Sequence, residues 1–257
     1  MSDGHTLFGL PALDGAIQGG IRGGWLALLL DKPGTGAQLL AKQFAHGAPG
    51  GRPILFYSTT EREDHLPEVF RGFGWDPAGI RFTDLDRVYF ARTHRRELET
   101  AQARERGLSL AELAPGPART EIGSPGGVSQ KLLADLSQLS GPFRFVLDSS
   151  DFLFEVLDPL ESTKLVRQIR NRALELSGEA LVLLNPSVVD GRHRAFLEGI
   201  ADIVLRLEAS EHLASPQRRL LLEKLRNHPE RCGSFGTEPS PGGFRPSESL
   251  TSPPANR

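Results

Sequence analysis

Apolar residues along this chain fall into short continuous runs set off by turn residues. The clearest are Trp25-Leu-Ala-Leu-Leu-Leu30, Ile54-Leu-Phe-Tyr57, Phe143-Arg-Phe-Val-Leu147, Leu181-Val-Leu-Leu184 and Ile203-Val-Leu-Arg-Leu207. Runs of this length with little polar alternation predict strands buried on both faces. Between them, Gln38–His46, Gln130–Leu139 and Leu160–Leu176 carry apolar residues at helical spacing. Strands alternating with helices predict βαβ crossovers, hence an α/β fold whose mainly parallel central sheet is flanked by helices. Trp25–Leu30, Phe143–Leu147 and Leu181–Leu184, the most continuous runs, are expected at its centre. Arg219–Leu225 fits a strand or a short helix; a strand is preferred, with Cys232–Phe244 closing the chain as antiparallel strands.

Two stretches break this rhythm. A polar segment over about 87–125 runs into Ala114-Pro-Gly-Pro-Ala118 and reads as an insertion. Gly236–Arg257 is rich in Pro, Gly and Ser, and its end offers too little apolar area to offset chain entropy. The expected organisation is one domain over 1–244 with an insertion, then a disordered tail over 245–257.

Composition narrows the class. With 39% hydrophobic and 24% charged residues, the 257-residue chain reads as an ordinary soluble globular protein. Lys plus Arg number 30 against 32 Asp plus Glu, a net charge of −2, which excludes a surface that is basic throughout. Any nucleic-acid contact must be local. Cys232 is the only cysteine, so an internal disulfide is excluded, and no Cys/His cluster has zinc-ligand spacing. A reducing cytoplasm is the expected location. The first residues lack a basic and then apolar leader, and no apolar run approaches the roughly 20 residues of a membrane span, so no membrane contact is expected.

The strongest chemical signal is an apolar strand, Trp25–Leu30, then a Gly-rich turn, Asp31-Lys-Pro-Gly-Thr-Gly36, then a helix from Ala37. In a phosphate-binding loop this layout aims backbone N–H groups and a helix N-terminus at phosphate oxygens. The full pattern is G-x-x-x-x-G-K-[ST]. Here Asp31 replaces the first Gly, Ala37 the Lys and Gln38 the Ser/Thr. The first change adds a negative charge, and the others remove the phosphate-binding ammonium and the magnesium-binding hydroxyl.

Around this loop the sequence resembles the KaiC-like branch of the RecA-type ATPases. The resemblance rests on Gly9-Leu-Pro-Ala-Leu-Asp14, Gly19-Gly-Ile-Arg-Gly-Gly24, Pro33-Gly-Thr-Gly36 and Gln43-Phe44. It extends to Ile54–Ser58 leading to Glu61, then Phe73-Gly-Trp-Asp76, Val146-Leu-Asp148-Ser149, Ala201-Asp-Ile-Val204 and Lys224-Leu-Arg226. It implies a RecA-like fold with antiparallel strands at the C-terminus and a nucleotide loop over Lys32, Pro33, Gly34, Thr35, Gly36, Ala37 and Gln38. Asp148 takes the place of the acid that holds Mg²⁺, although a strand-end aspartate also caps turns. The family's paired catalytic glutamates fall at Thr60 and Glu61, leaving Glu61 as a residual catalytic carboxylate. Lys224 and Arg226 match basic residues that reach a neighbouring subunit's phosphate; the other reading is an alternating strand facing water. Asn185 falls where such folds place a polar nucleotide sensor, but Asn-Pro also opens turns. Arg192, His193 and Arg194 fall where RecA-like recombinases carry a DNA-facing loop.

The leading expectation is a regulatory or assembly pseudo-ATPase with weak or absent ATP–Mg binding. Its partner would be a second copy or an active RecA/KaiC-like relative, engaged through Phe8–Ile21 and the Lys224 edge. One alternative is an ATPase using Lys32, Asp148 and Glu61 in an unorthodox site. Another is a DNA recombination or repair accessory.

Overall fold

The computed structural model describes residues 5–48, 50–90, 125–209 and 217–247. Most of the expected insertion, and the tail from 248 onward, lie outside the described residues. In chain order the strands are β1 (His5–Thr6), β2 (Ile21–Arg22), β3 (Leu26–Asp31), β4 (Ile54–Ser58), β5 (Ile80–Asp84), β6 (Arg144–Asp148), β7 (Glu179–Leu184), β8 (Ile203–Ala209), β9 (Arg218–Leu225), β10 (Gly233–Ser240) and β11 (Gly243–Pro246). The helices are α1 (Pro11–Ala16), α2 (Ala37–His46), α3 (Leu66–Gly72), α4 (85–90), α5 (Pro125–Ser137), α6 (Asp151–Val156), α7 (Pro159–Leu176) and α8 (Gly191–Ile200).

Nine strands form one sheet in the order β11-β10-β9-β8-β3-β7-β6-β4-β5. From β8 to β5 all neighbours are parallel, and β9, β10 and β11 are added antiparallel at one side. This is the expected α/β architecture, with β3, β7 and β6 inside the sheet. The continuous apolar runs arise because both faces are covered. Ala27, Leu29, Phe56, Val146, Leu181 and Leu205 pack beneath α1, α2 and α3, while the alternate residues Leu28, Tyr57, Phe145, Leu147 and Val182 pack against α5 and α7. Period-two geometry therefore divides each strand between two cores.

Three expectations change. Phe8, Leu10, Leu13, Ile17 and Ile21 are buried in the chain's own core, so the Phe8–Ile21 segment does not offer these residues to a partner. The Asp14 carboxylate holds this segment by accepting from the N–H groups of Phe8 (2.6 Å) and Gly9 (3.1 Å). Arg192, His193 and Arg194 form the first turn of α8 instead of a loop. Asp190 caps that turn, accepting from the N–H groups of Arg192 and His193, because a short carboxylate satisfies amides that the helix leaves unpaired. β11 continues through Pro246, past the expected boundary at 244, and the Ser247 N–H donates to the Gly236 carbonyl.

Candidate functional site

β3 ends at Asp31, and the chain turns through Lys32–Gly36 into α2. Gly34 and Gly36 have φ of +87° and +95°, a region in which a side chain is strained. The turn is closed by Thr35, whose N–H and hydroxyl both donate to the Lys32 carbonyl, at 3.2 and 3.0 Å. Lys32 and Pro33 are exposed, whereas Thr35 and Ala37 are buried and Gln38 is half-buried.

The C-terminal strands pack onto this loop. Arg218 of β9 donates to the Thr35 carbonyl at 2.7 Å. The Phe244 ring lies so near Gly36 that a Cβ there would meet it at 3.0 Å. Gln43 on α2 fixes the arrangement: its amide oxygen accepts from the Phe244 N–H (2.7 Å), while its amide nitrogen donates to the carbonyls of Phe244 (3.1 Å) and Gly9 (2.5 Å). One side chain thus joins the N-terminal segment, the loop helix and the last strand.

Beside the loop, β4 and β6 run in register with Ser58 opposite Asp148. Asp148 shares the parity of Val146 and therefore faces α2. It is fully buried, and among the described residues neither carboxylate oxygen has a hydrogen-bond partner. Ser58 Oγ accepts from the Glu61 N–H at 3.0 Å and so sets the start of the segment carrying that glutamate. Lys42, from the middle of α2, brings Glu61 and Asp148 together: its ammonium is 2.5 Å from Glu61 Oε1 and 3.8 Å from Asp148 Oδ2.

Burial raises the Asp31 carboxyl to about 7, with the charges of Asp151 and Asp148 adding to the effect. Burial also raises Asp148 to about 6; Lys42 opposes this, while Glu61 and Asp151 reinforce it. The strand ends beside the loop thus form a carboxylate-rich environment with one buried ammonium inside it.

Other candidates lie elsewhere. Lys224 donates to the carbonyls of Glu198 (2.6 Å) and Gly199 (2.9 Å) near the end of α8, where backbone oxygens lack helical partners. Arg226 pairs with Asp202 and donates to the Ile200 (3.1 Å) and Ala201 (3.3 Å) carbonyls. Both basic groups are thus engaged within the chain. His193 contacts Asp190 at 2.5 Å and Arg194 pairs with Glu198 at 3.3 Å. Asn185 makes a turn: its side-chain oxygen accepts from the Ser187 N–H at 3.0 Å.

Sequence reasoning named Asp148, Glu61 and the loop but missed Lys42. The available signal was a lysine within a helix whose neighbouring Leu40, Ala41, Phe44 and Ala45 are all buried. It also noted Gln43 and Asp14 only as marks of resemblance, without their bridging roles.

A glycine loop joining a central parallel strand to a helix, beside an acidic strand end, defines a RecA-type P-loop α/β domain. The chain belongs to the KaiC ATPase family, whose description reads "ATPase: KaiC" and whose profile matches residues 7–235. The KaiC-like protein PH0186 of the hyperthermophilic archaeon Pyrococcus horikoshii OT3 has the same fold, with a TM-score of 0.64 and 20% identity over 95% of this chain and 98% of that one. UPF0273 protein PAE3143 of Pyrobaculum aerophilum is 39% identical over 70 residues, which is 27% of this chain and 25% of that protein. The chain therefore spans about a quarter of that curated relative's length. Among the described residues, no helix is long and apolar enough to cross a membrane.

Proposed function

We propose that this KaiC-family domain is a pseudo-ATPase that acts through assembly or regulation instead of turnover. The observation that carries this reading is the charge around the loop. A triphosphate needs cations and a magnesium-binding hydroxyl, whereas this loop opens on Asp31, with Asp148 and Asp151 close enough to raise its pKa. Ala37 and Gln38 supply neither an ammonium nor a hydroxyl. The residues present do not fit a magnesium triphosphate.

The unorthodox-site alternative has less support. It requires Glu61 and Asp148 to act on water and metal, yet the Lys42 ammonium is already paired with both. Regulation through a second copy or an active relative remains our proposal for the partner, on the strength of family membership.

Titration with a fluorescent ATP analogue, with and without Mg²⁺, tests the reading. Losing two charge-assisted contacts of roughly 1.5–3 kcal/mol each weakens binding by about two to four powers of ten. Affinity is therefore expected in the millimolar range or weaker, with little dependence on Mg²⁺. Ala37→Lys with Gln38→Thr should restore Mg²⁺-dependent binding while turnover stays slow. Micromolar binding by the unaltered protein, lost in Lys32→Ala, would overturn the proposal.

A further inference from the structure

We infer that Lys42 is a resident cation, its ammonium serving in place of a divalent metal as the counter-charge of Glu61 and Asp148. This deepens the pseudo-ATPase reading and rests on it, but its test requires no nucleotide.

Lys42 is only 3% exposed, and a lysine so buried is rarely tolerated without a partner. It sits on a helix that is buried on most sides, with Leu40, Ala41, Gln43, Phe44 and Ala45 buried around it in the chain. Its location follows from helix geometry. Side chains lean toward the helix N-terminus, so a lysine midway along α2 carries its charge back toward the loop, where β4 and β6 end. The ammonium passes 6.0 Å from the centre of the Phe56 ring and reaches Glu61 at 2.5 Å.

Asp148 explains why the charge is needed. Its carboxylate oxygens are inaccessible to solvent and, among the described residues, lack hydrogen-bond donors, leaving the ammonium 3.8 Å away as its paired cation. A divalent ion bridging Asp148 and Glu61 would have to displace that ammonium. The missing loop hydroxyl at Gln38 agrees with this arrangement, because a protein that carries its own cation has no need to hold magnesium there.

The experiment uses Mn²⁺ alone, followed by thermal melting and by electron paramagnetic resonance of the free ion. The wild type should bind no Mn²⁺ at submillimolar concentration and show no melting shift. Lys42→Met keeps the stem but removes the charge. It should melt about 6–20 °C lower, from the usual cost of orphaning a buried charge and the melting response of a chain this size. Millimolar Mn²⁺ should recover at least half of that loss. Lys42→Met with Asp148→Asn should recover stability without metal and ignore Mn²⁺. This neutral pair also serves if Lys42→Met fails to fold, since an equally unstable double variant would count against the pairing.

Submillimolar Mn²⁺ binding by the wild type, lost in Glu61→Gln, would overturn the inference, as would a Lys42→Met protein that melts normally or ignores the ion. ATP turnover by the wild type would instead defeat the pseudo-ATPase reading, so the two failures are distinguishable.

Discussion

Replacing Asp31 with Asn tests whether the acidic start of the loop is costly to the fold. Asp31 is 7% exposed at the end of β3, and burial together with Asp151 and Asp148 raises its carboxyl from 3.8 to about 7. The folded protein thus retains a proton that the unfolded chain releases. This contribution to stability is most favourable below about pH 4, falls as pH rises toward 7, and is constant above that. At about 1.4 kcal/mol per pH unit, the interval corresponds to a ceiling near 4 kcal/mol, and relaxation and water access reduce it to roughly 2–3 kcal/mol. Asn keeps the shape and does not titrate. At pH 8 the variant should therefore melt about 4–12 °C above the wild type, and the gap should nearly close by pH 4.5. The buried amide adds a pH-independent cost of its own, so the diagnostic quantity is the slope of the difference, measured by melting at half-unit steps from pH 4.5 to 8.5. Asp148 titrates in the same direction and is present in both proteins. A difference that stays flat across the series would refute the reasoning.

Two further substitutions probe the supports around the site. Phe244→Ala should cost about 3–5 kcal/mol in urea denaturation, because the ring is buried against Gly36; a loss below about 1 kcal/mol would show that the last strand does not brace the loop. Asp202 is fully buried, accepts from the Leu26 N–H at 3.0 Å and pairs with Arg170 and Arg226. Asp202→Ala should destabilise the chain by about 3–5 kcal/mol without altering its association state in sedimentation. Unchanged stability with a changed association state would mean that Arg226 acts between subunits.

Much of the architecture follows from local pattern. Leu26–Asp31, Arg144–Asp148 and Glu179–Leu184 are buried along their whole length, and a run of that kind requires two covering layers whatever the rest of the chain does. The loop at Lys32–Gly36 was equally legible, since glycines between an apolar strand and a helix have few other uses. Boundaries were less so: Arg192–Arg194 reads as a polar loop until Asp190 caps it into a helix, and the antiparallel strands expected to end at Phe244 run on to Pro246. β10 and β11 pair as sequence neighbours, with Ser240 opposite Gly243, which is why that hairpin could be read from local pattern.

The sequence by itself determined the α/β class, the position of the glycine turn after β3 and the identity of Ala37 and Gln38 behind it, because each depends on residue type at short separation. The tertiary structure alone decided where the charges go. Lys42 is separated from Asp148 by β4, β5 and the helices that follow each of them, and only sheet register and the backward lean of helical side chains put their charges 3.8 Å apart. Gln43 likewise reaches Phe244 only because β11 folds back over α2. Such pairings arise from long-range packing, where low dielectric makes an unpaired charge costly, and the periodicity of neighbouring residues does not encode them.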